Sequence, residues 1–165
     1  MSARRRLLLA GVAALCGARA GAQPTTGAEE HLEGIDDLRP LLVQVRQKRI
    51  PLLVLFSTPG CPFCREVRRA YLAPRVAEQK VQPSPTLLIR EVDITSRAAM
   101  VDAQARRTTQ AEFAARFGVR VVPVVVLLDE RGQLLGDPLV GIDRSGFYET
   151  YLVRAIEAAE RRLRS

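Results

Sequence analysis

Two cysteines separated by two residues, Cys61 and Cys64 in PLLVLFSTPGCPFC (residues 51–64), carry the plainest chemistry in this chain. A Cys-x-x-Cys pair can pass between dithiol and disulfide by exchange with another thiol. Residues 52–56 form an unbroken apolar run bounded by Pro51 and by the Ser-Thr-Pro-Gly of 57–60, the pattern of a strand covered on both faces. Pro62 suits the first turn of a helix, where a missing N–H costs nothing. Strand, loop, CxxC and helix in that order put Cys61 at a helix N-terminus, where unpaired N–H groups and the helix dipole favour an anion. A thiolate is such an anion: a free Cys titrates near ~8.5, and CxxC motifs at helix N-termini bring that to about 3.5–7.5. This reading makes Cys61 an attacking thiolate and Cys64 its resolving partner.

Two other readings of the pair stay open. Two thiolates can hold Cu(I), which accepts two soft ligands. A closed zinc site needs four ligands, and once a leader carrying Cys16 is removed no other Cys and only His31 remain besides the pair. The pair could also be an inert bridge in a binding module, although so short a loop gives little loop-entropy stabilisation. His31 reads as an exposed residue ahead of the first helix rather than a base. Arg65 beside the motif could favour the thiolate, but a solvent-facing helix charge is the more ordinary reading. The exchange reading needs no cofactor and assigns no metal ligand.

The elements that must position the cysteines follow an α, β, α, β, α, β, β, α order. Ile35, Leu38, Leu41, Leu42 and Val45 recur at helical spacing over residues 35–48. After the strand at 52–56, a helix over 62–72 is expected to bury Phe63, Val67, Ala70 and Tyr71, with Arg65, Arg68 and Arg69 elsewhere and Pro74 kinking or ending it. Residues 75–80 read as a possible second piece, and 86–94 as a strand with Glu91 and Asp93 toward its end. The Ala-rich stretch 95–107 reads as a short helix. Thr109 and Glu112 make a capping box that opens a helix with Phe113, Ala114 and Phe117 inward, closed by Gly118. A third strand is expected over 121–128 with Pro123 near its start, then a turn at 129–132 and a fourth strand over 133–140. The last helix is expected over 143–164, with Phe147, Tyr151, Leu152, Ala155, Ile156 and Ala159 inward. This is an α/β pattern with a final antiparallel hairpin.

The first 22 residues read as a secretory signal peptide. Arg4, Arg5 and Arg6 precede the apolar LLLAGVAALC of 7–16, which is too short to span a bilayer, and Ala20-Gly21-Ala22 fits a cleavage site. Residues 23–34 read as a flexible leader and 35–165 as one domain. Cleavage removes Cys16, leaving the even pair. It also removes Arg4, Arg5, Arg6 and Arg19, so 25 basic residues become 21 against 18 acidic and the net charge falls from +7 to +3. A mild excess spread over helices is a solvated surface and argues for no nucleic-acid partner. No other segment is apolar enough for a membrane span, and a monomer in the periplasm is expected.

The chain resembles the thioredoxin superfamily. The resemblance rests on Cys61-Pro62-Phe63-Cys64 after a strand, on Gly118-Val119-Arg120-Val121-Val122-Pro123 before the third strand, on Leu127-Leu128-Asp129 and Gly132 at the hairpin, and on Gly141. It covers about residues 35–163, and the segment STPGCPFC looks most like periplasmic thioredoxin-like proteins of the SoxS/SoxW type. It implies a central mixed sheet of about four strands flanked by helices. It also implies a nucleophilic Cys61, a buried resolving Cys64, a cis-proline at Pro123 facing the CxxC, and Val122 offering backbone hydrogen bonds to an extended substrate, with Pro62 and Phe63 beside it. The implied partners are exported proteins or small molecules bearing thiols or disulfides, with a membrane electron donor for the reducing direction. Two positions depart from the pattern: Gly60 stands where thioredoxin-type reductases carry Trp, and Leu55 where they carry a buried Asp that helps move the resolving thiol's proton.

Overall fold

The computed structural model describes residues 32–165; the expected signal peptide, most of the leader and His31 lie outside the described residues. Strand β1 (Leu52–Ser57) is the centre, with all six of its residues buried. It pairs parallel with β2 (Leu88–Asp93) and antiparallel with β5 (Val124–Leu128), which pairs antiparallel with β6 (Leu139–Val140), giving the sheet order β2-β1-β5-β6. Leu52, Val54 and Phe56 point into one core with Leu38, Leu41, Leu42 and Val45 of α1 (Leu38–Lys48) and Phe113 and Ala114 of α4 (Gln110–Arg116). Leu53 and Leu55 point into the other, with Val67, Leu72 and the Tyr148, Leu152 and Ala159 of α5 (Tyr148–Arg164). Helices on both faces are why the strand reads as a continuous apolar run rather than an alternating one.

Helix α1 begins at Leu38 because the Asp37 carboxylate caps it, accepting from the Arg39 N–H at 2.9 Å. Ile35 stays buried ahead of the helix. The helix carrying the cysteines runs without a break through α2 (Pro62–Glu66), a π-helical segment (Val67–Leu72) and α3 (Ala73–Val81). Pro74 was expected to end or kink this helix. It sits instead in the first turn of α3, just after the π segment, whose wider turn lets the Ala73 N–H reach back to the Arg68 carbonyl. The buried stripe also differs from the expected one. Cys64, Val67, Arg68 and Leu72 face inward, while Phe63 and Ala70 are exposed.

Residues 95–107 do not form the expected helix. They hold β3 (Ala99–Val101), which pairs antiparallel with β4 (Arg107–Thr109). The turn between them is built on Asp102, whose Oδ1 accepts from the N–H groups of Gln104 and Arg106, both at 2.9 Å. An Asp side chain that satisfies local backbone donors offers the chain an alternative to a helix, and here it wins. The capping box on α4 is present: Thr109 Oγ1 accepts from the Glu112 N–H, and Glu112 accepts from the Thr109 N–H.

Strand β5 starts three residues later than expected, at Val124, and Val121 lies exposed before it. The fourth strand is cut to Leu139–Val140 plus one isolated bridge from Leu128 to Leu134. Asp143 spends its carboxylate on a turn, accepting from the Ser145 and Phe147 N–H groups at 2.8 Å each, so α5 begins at Tyr148. That start leaves Phe147 and Tyr151 exposed and turns Tyr148 inward. At the outer edge of β2, the Glu91 N–H donates to the Glu33 carbonyl at 2.9 Å, and Arg90 pairs with the Glu33 carboxylate at 3.1 Å. Among the described residues, no helix is long and apolar enough to cross a membrane.

Candidate active site

Strand β1 delivers the cysteines. Beyond Ser57 the chain turns through Thr58, Pro59 and Gly60, the last at φ +74°, a conformation that glycine adopts without steric cost. Cys61 is then the N-cap of α2, in extended conformation, and the Cys64 N–H donates to its Sγ at 3.1 Å. The Cys61 carbonyl accepts from the Arg65 N–H, also at 3.1 Å, which opens the helical ladder. Cys61 and Cys64 are joined as a disulfide with Cα atoms 5.3 Å apart. Cys61 is half-buried and Cys64 fully buried, so an external sulfur can approach only Cys61.

Pro62 is exposed at the first position of the helix. Phe63 is 39% exposed, and the Arg144 guanidinium carbon stands 5.5 Å from its ring centroid. Beside Arg144, the Asp143 carboxyl is held below its ordinary range by the Ser145 and Phe147 N–H groups. The Val122–Pro123 peptide bond is cis, with Pro123 buried and Val122 half-buried. Because Phe56 pairs with Val124, Pro123 falls at the end of the sheet where the 58–60 loop leaves β1. The Pro123 carbonyl accepts from the Gly141 N–H at 2.8 Å, which ties this corner to the segment before α5.

A cleft of about 170 Å³ runs down beside Cys61, lined by Ser57 to Gly60, Arg68, Glu91, Asp93 and Gln110 among others. At its base lies a buried ion pair that sequence reasoning missed. The Arg68 guanidinium donates from Nε to Glu91 Oε2 at 3.1 Å and from Nη2 to Oε1, and the Ser57 hydroxyl donates to the same Oε1. The side chains of Arg68 and Glu91 are only 5% and 9% exposed. Glu91 is the register partner of Leu55 across β1 and β2. Glu91 therefore sets a carboxylate on the same face of the sheet as Leu55, from the neighbouring strand. A Glu inside the apolar strand sequence TLLIREVDI was a visible signal; its partner, one arginine among three on a helix, was not. Among the described residues, no three His, Cys, Asp or Glu side chains gather as a metal site.

Solved structures similar to this chain include thioredoxins. Mitochondrial thioredoxin 3 from Saccharomyces cerevisiae is 18% identical, with 76% of this chain and 93% of that one covered at a TM-score of 0.46. Fasciola hepatica thioredoxin is 21% identical, with 76% and 97% covered at 0.48. A single-site variant of thioredoxin from Halobacterium salinarum is 22% identical, with 83% and 96% covered at 0.48. No curated protein matches the sequence. The profile of the thioredoxin-like domain matches residues 38–150, from the first residue of α1, through the CxxC and the sheet, into α5. Over that span the chain belongs to the thioredoxin-like domain family.

Proposed function

We propose that this protein is an exported thiol–disulfide oxidoreductase that reduces disulfides of protein or small-thiol substrates. The observation that carries the reading is the Cys61–Cys64 disulfide at the start of a helix, with one sulfur reachable and the other buried. In the reducing direction, the Cys61 thiolate attacks one sulfur of a substrate disulfide. A Cys61–substrate bond forms, the substrate S–S bond breaks, and one substrate thiolate leaves. Cys64 loses its proton and attacks Cys61 Sγ, which restores the Cys61–Cys64 bond and frees the second substrate thiolate. A dithiol donor then supplies two electrons and two protons to reset the pair. Exposed Phe63 and half-buried Val122, beside the buried Pro123, make the face on which an extended substrate segment would lie, with the Val122 backbone as its hydrogen-bonding edge. Export rests on the basic, apolar and small-residue pattern of residues 1–22, and the periplasmic SoxS/SoxW type is the narrower resemblance.

The test is the reduction potential of the pair, from equilibration of the mature protein with glutathione buffers. A value near about −270 mV supports the reductase, and one near about −120 mV makes it an oxidant of exported thiols. A pair that never exchanges overturns the enzyme reading and leaves an inert bridge.

A further inference from the structure

The segment 141–147, between β6 and α5, joins the two ends of the face beside the cysteines. It starts at the cis-proline corner, where the Gly141 N–H donates to the Pro123 carbonyl at 2.8 Å. Gly141 and Gly146 stand at φ +77° and +83°, which lets the segment double back. Asp143 pins its middle: Oδ1 accepts from the Ser145 N–H and Oδ2 from the Phe147 N–H, at 2.8 Å each. Arg144 is the residue that reaches the motif. It is exposed, and its guanidinium carbon stands 5.5 Å from the centre of the Phe63 ring, between the two cysteines in sequence. An exposed contact of this kind adds little to folding, but it limits where the cation can go. A guanidinium with one face toward a ring keeps its N–H edge for a carboxylate, which it can hold through two parallel hydrogen bonds. Asp143, the neighbouring carboxylate, turns both oxygens to backbone donors instead. The other charged side chains next to the motif, Arg65 and Glu66, are exposed at adjoining positions of α2 and carry opposite signs.

We propose that Arg144 is a specificity-determining residue that selects extended acidic peptide segments, pairing with a carboxylate one or two residues from the substrate's disulfide cysteine. An extended segment advances about 3.3 Å per residue, so side chains that close to a sulfur held at Cys61 come over the Phe63 ring and its cation. The ring and the Val122 backbone accept any extended segment, whereas the guanidinium distinguishes segments by charge. This role rests on the exchange reading above and adds to it the chemical class of the substrate.

The test uses the mature protein with Cys64→Ser, so that attack stops at the Cys61–peptide bond. Three symmetric peptide disulfides are compared, alike except that the residues flanking each cysteine on both sides are Glu, Gln or Lys. The Cys61 thiolate breaks the peptide S–S bond, one peptide stays bound through sulfur, and the other leaves as a thiolate. Mass spectrometry reads the rate of adduct formation. The peptides' own reactivity cancels when each variant is compared with the protein that keeps Arg144. Arg144→Gln is expected to lower the ratio of the Glu rate to the Gln rate by about two- to fivefold, the range of one exposed charge pair. Arg144→Glu is expected to lower that ratio further and to raise the ratio of the Lys rate to the Gln rate. Arg131→Gln removes an exposed charge from the turn after β5, at the end of the sheet away from the cysteines, and is expected to leave both ratios unmoved. Ratios that stay put in Arg144→Gln, or that fall as far in Arg131→Gln, overturn the assignment and leave the exchange reading standing. A Cys61 that attacks none of the three peptides overturns both.

Discussion

Cys61 and Cys64 share a helix start and a bond, but their surroundings assign them different work. Cys61 can be reached from outside and accepts a backbone N–H at its sulfur; Cys64 is sealed beneath it. Cys64→Ser should therefore stop the cycle after the first attack and leave a Cys61–substrate mixed disulfide, seen by mass spectrometry as a covalent adduct that dithiol releases. Cys61→Ser should yield no adduct. The placement of this pair at a helix start was legible in the sequence because CxxC after an apolar run and before a proline-started helix is a local pattern. Arg68 was not legible. A charged residue on a helix is ordinarily solvated, and nothing within one helical turn of it reveals that a Glu twenty-three residues away is waiting on a strand. Burial of such a pair is a tertiary fact, since each ion is tolerated there only because the other is present.

Elements were legible to the extent that their signals were apolar periodicity or caps. The β1 run, the α1 stripe and the Thr109–Glu112 box all formed where the residues pointed. Two of the misses came where a single carboxylate outweighed periodicity. Asp143 delays α5 to Tyr148 and so turns its apolar stripe, and Asp102 converts an Ala-rich stretch into the β3–β4 hairpin. Asp102 is 1% exposed, and its Oδ2 pairs with Arg106 at 3.0 Å and with Arg116. Burial pushes its carboxyl up, but the Arg106 N–H, the Arg116 and Arg106 guanidiniums and the Gln104 N–H outweigh this and bring it to about 2. A carboxyl depressed on folding stabilises the fold above its unfolded value of about 3.9 and loses that contribution as pH falls toward its folded value. Stability to urea should thus decline between about pH 4 and pH 2. Asp102→Asn should flatten that decline and destabilise the neutral protein by about 2–4 kcal/mol, because two arginines lose their carboxylate.

The whole molecule hangs on a sheet clad on both sides, and Phe56 joins its parts. The ring is fully buried near the end of β1, with centroids 6.1 Å from Phe113 and 5.7 Å from Phe117. Phe56→Ala should cost about 3–5 kcal/mol in denaturant unfolding. Against a typical net stability of about 5–15 kcal/mol, that is a third or more of the total for many domains. The two-sided core also explains why the α/β class was readable, whereas the brevity of β6 was not. A two-residue strand depends on the neighbours it meets rather than on its own sequence.

That brevity has a partner at the opposite border of the sheet. One rim ends in Leu139–Val140, too short to template a foreign strand, and on the other Glu33 already occupies a backbone donor of β2 and sets a charge beside it. Exposed rows of unpaired N–H and C=O groups are where native proteins stick to one another and seed fibrils. With both margins blunted, a foreign chain that settles on this sheet finds no long free rim to extend.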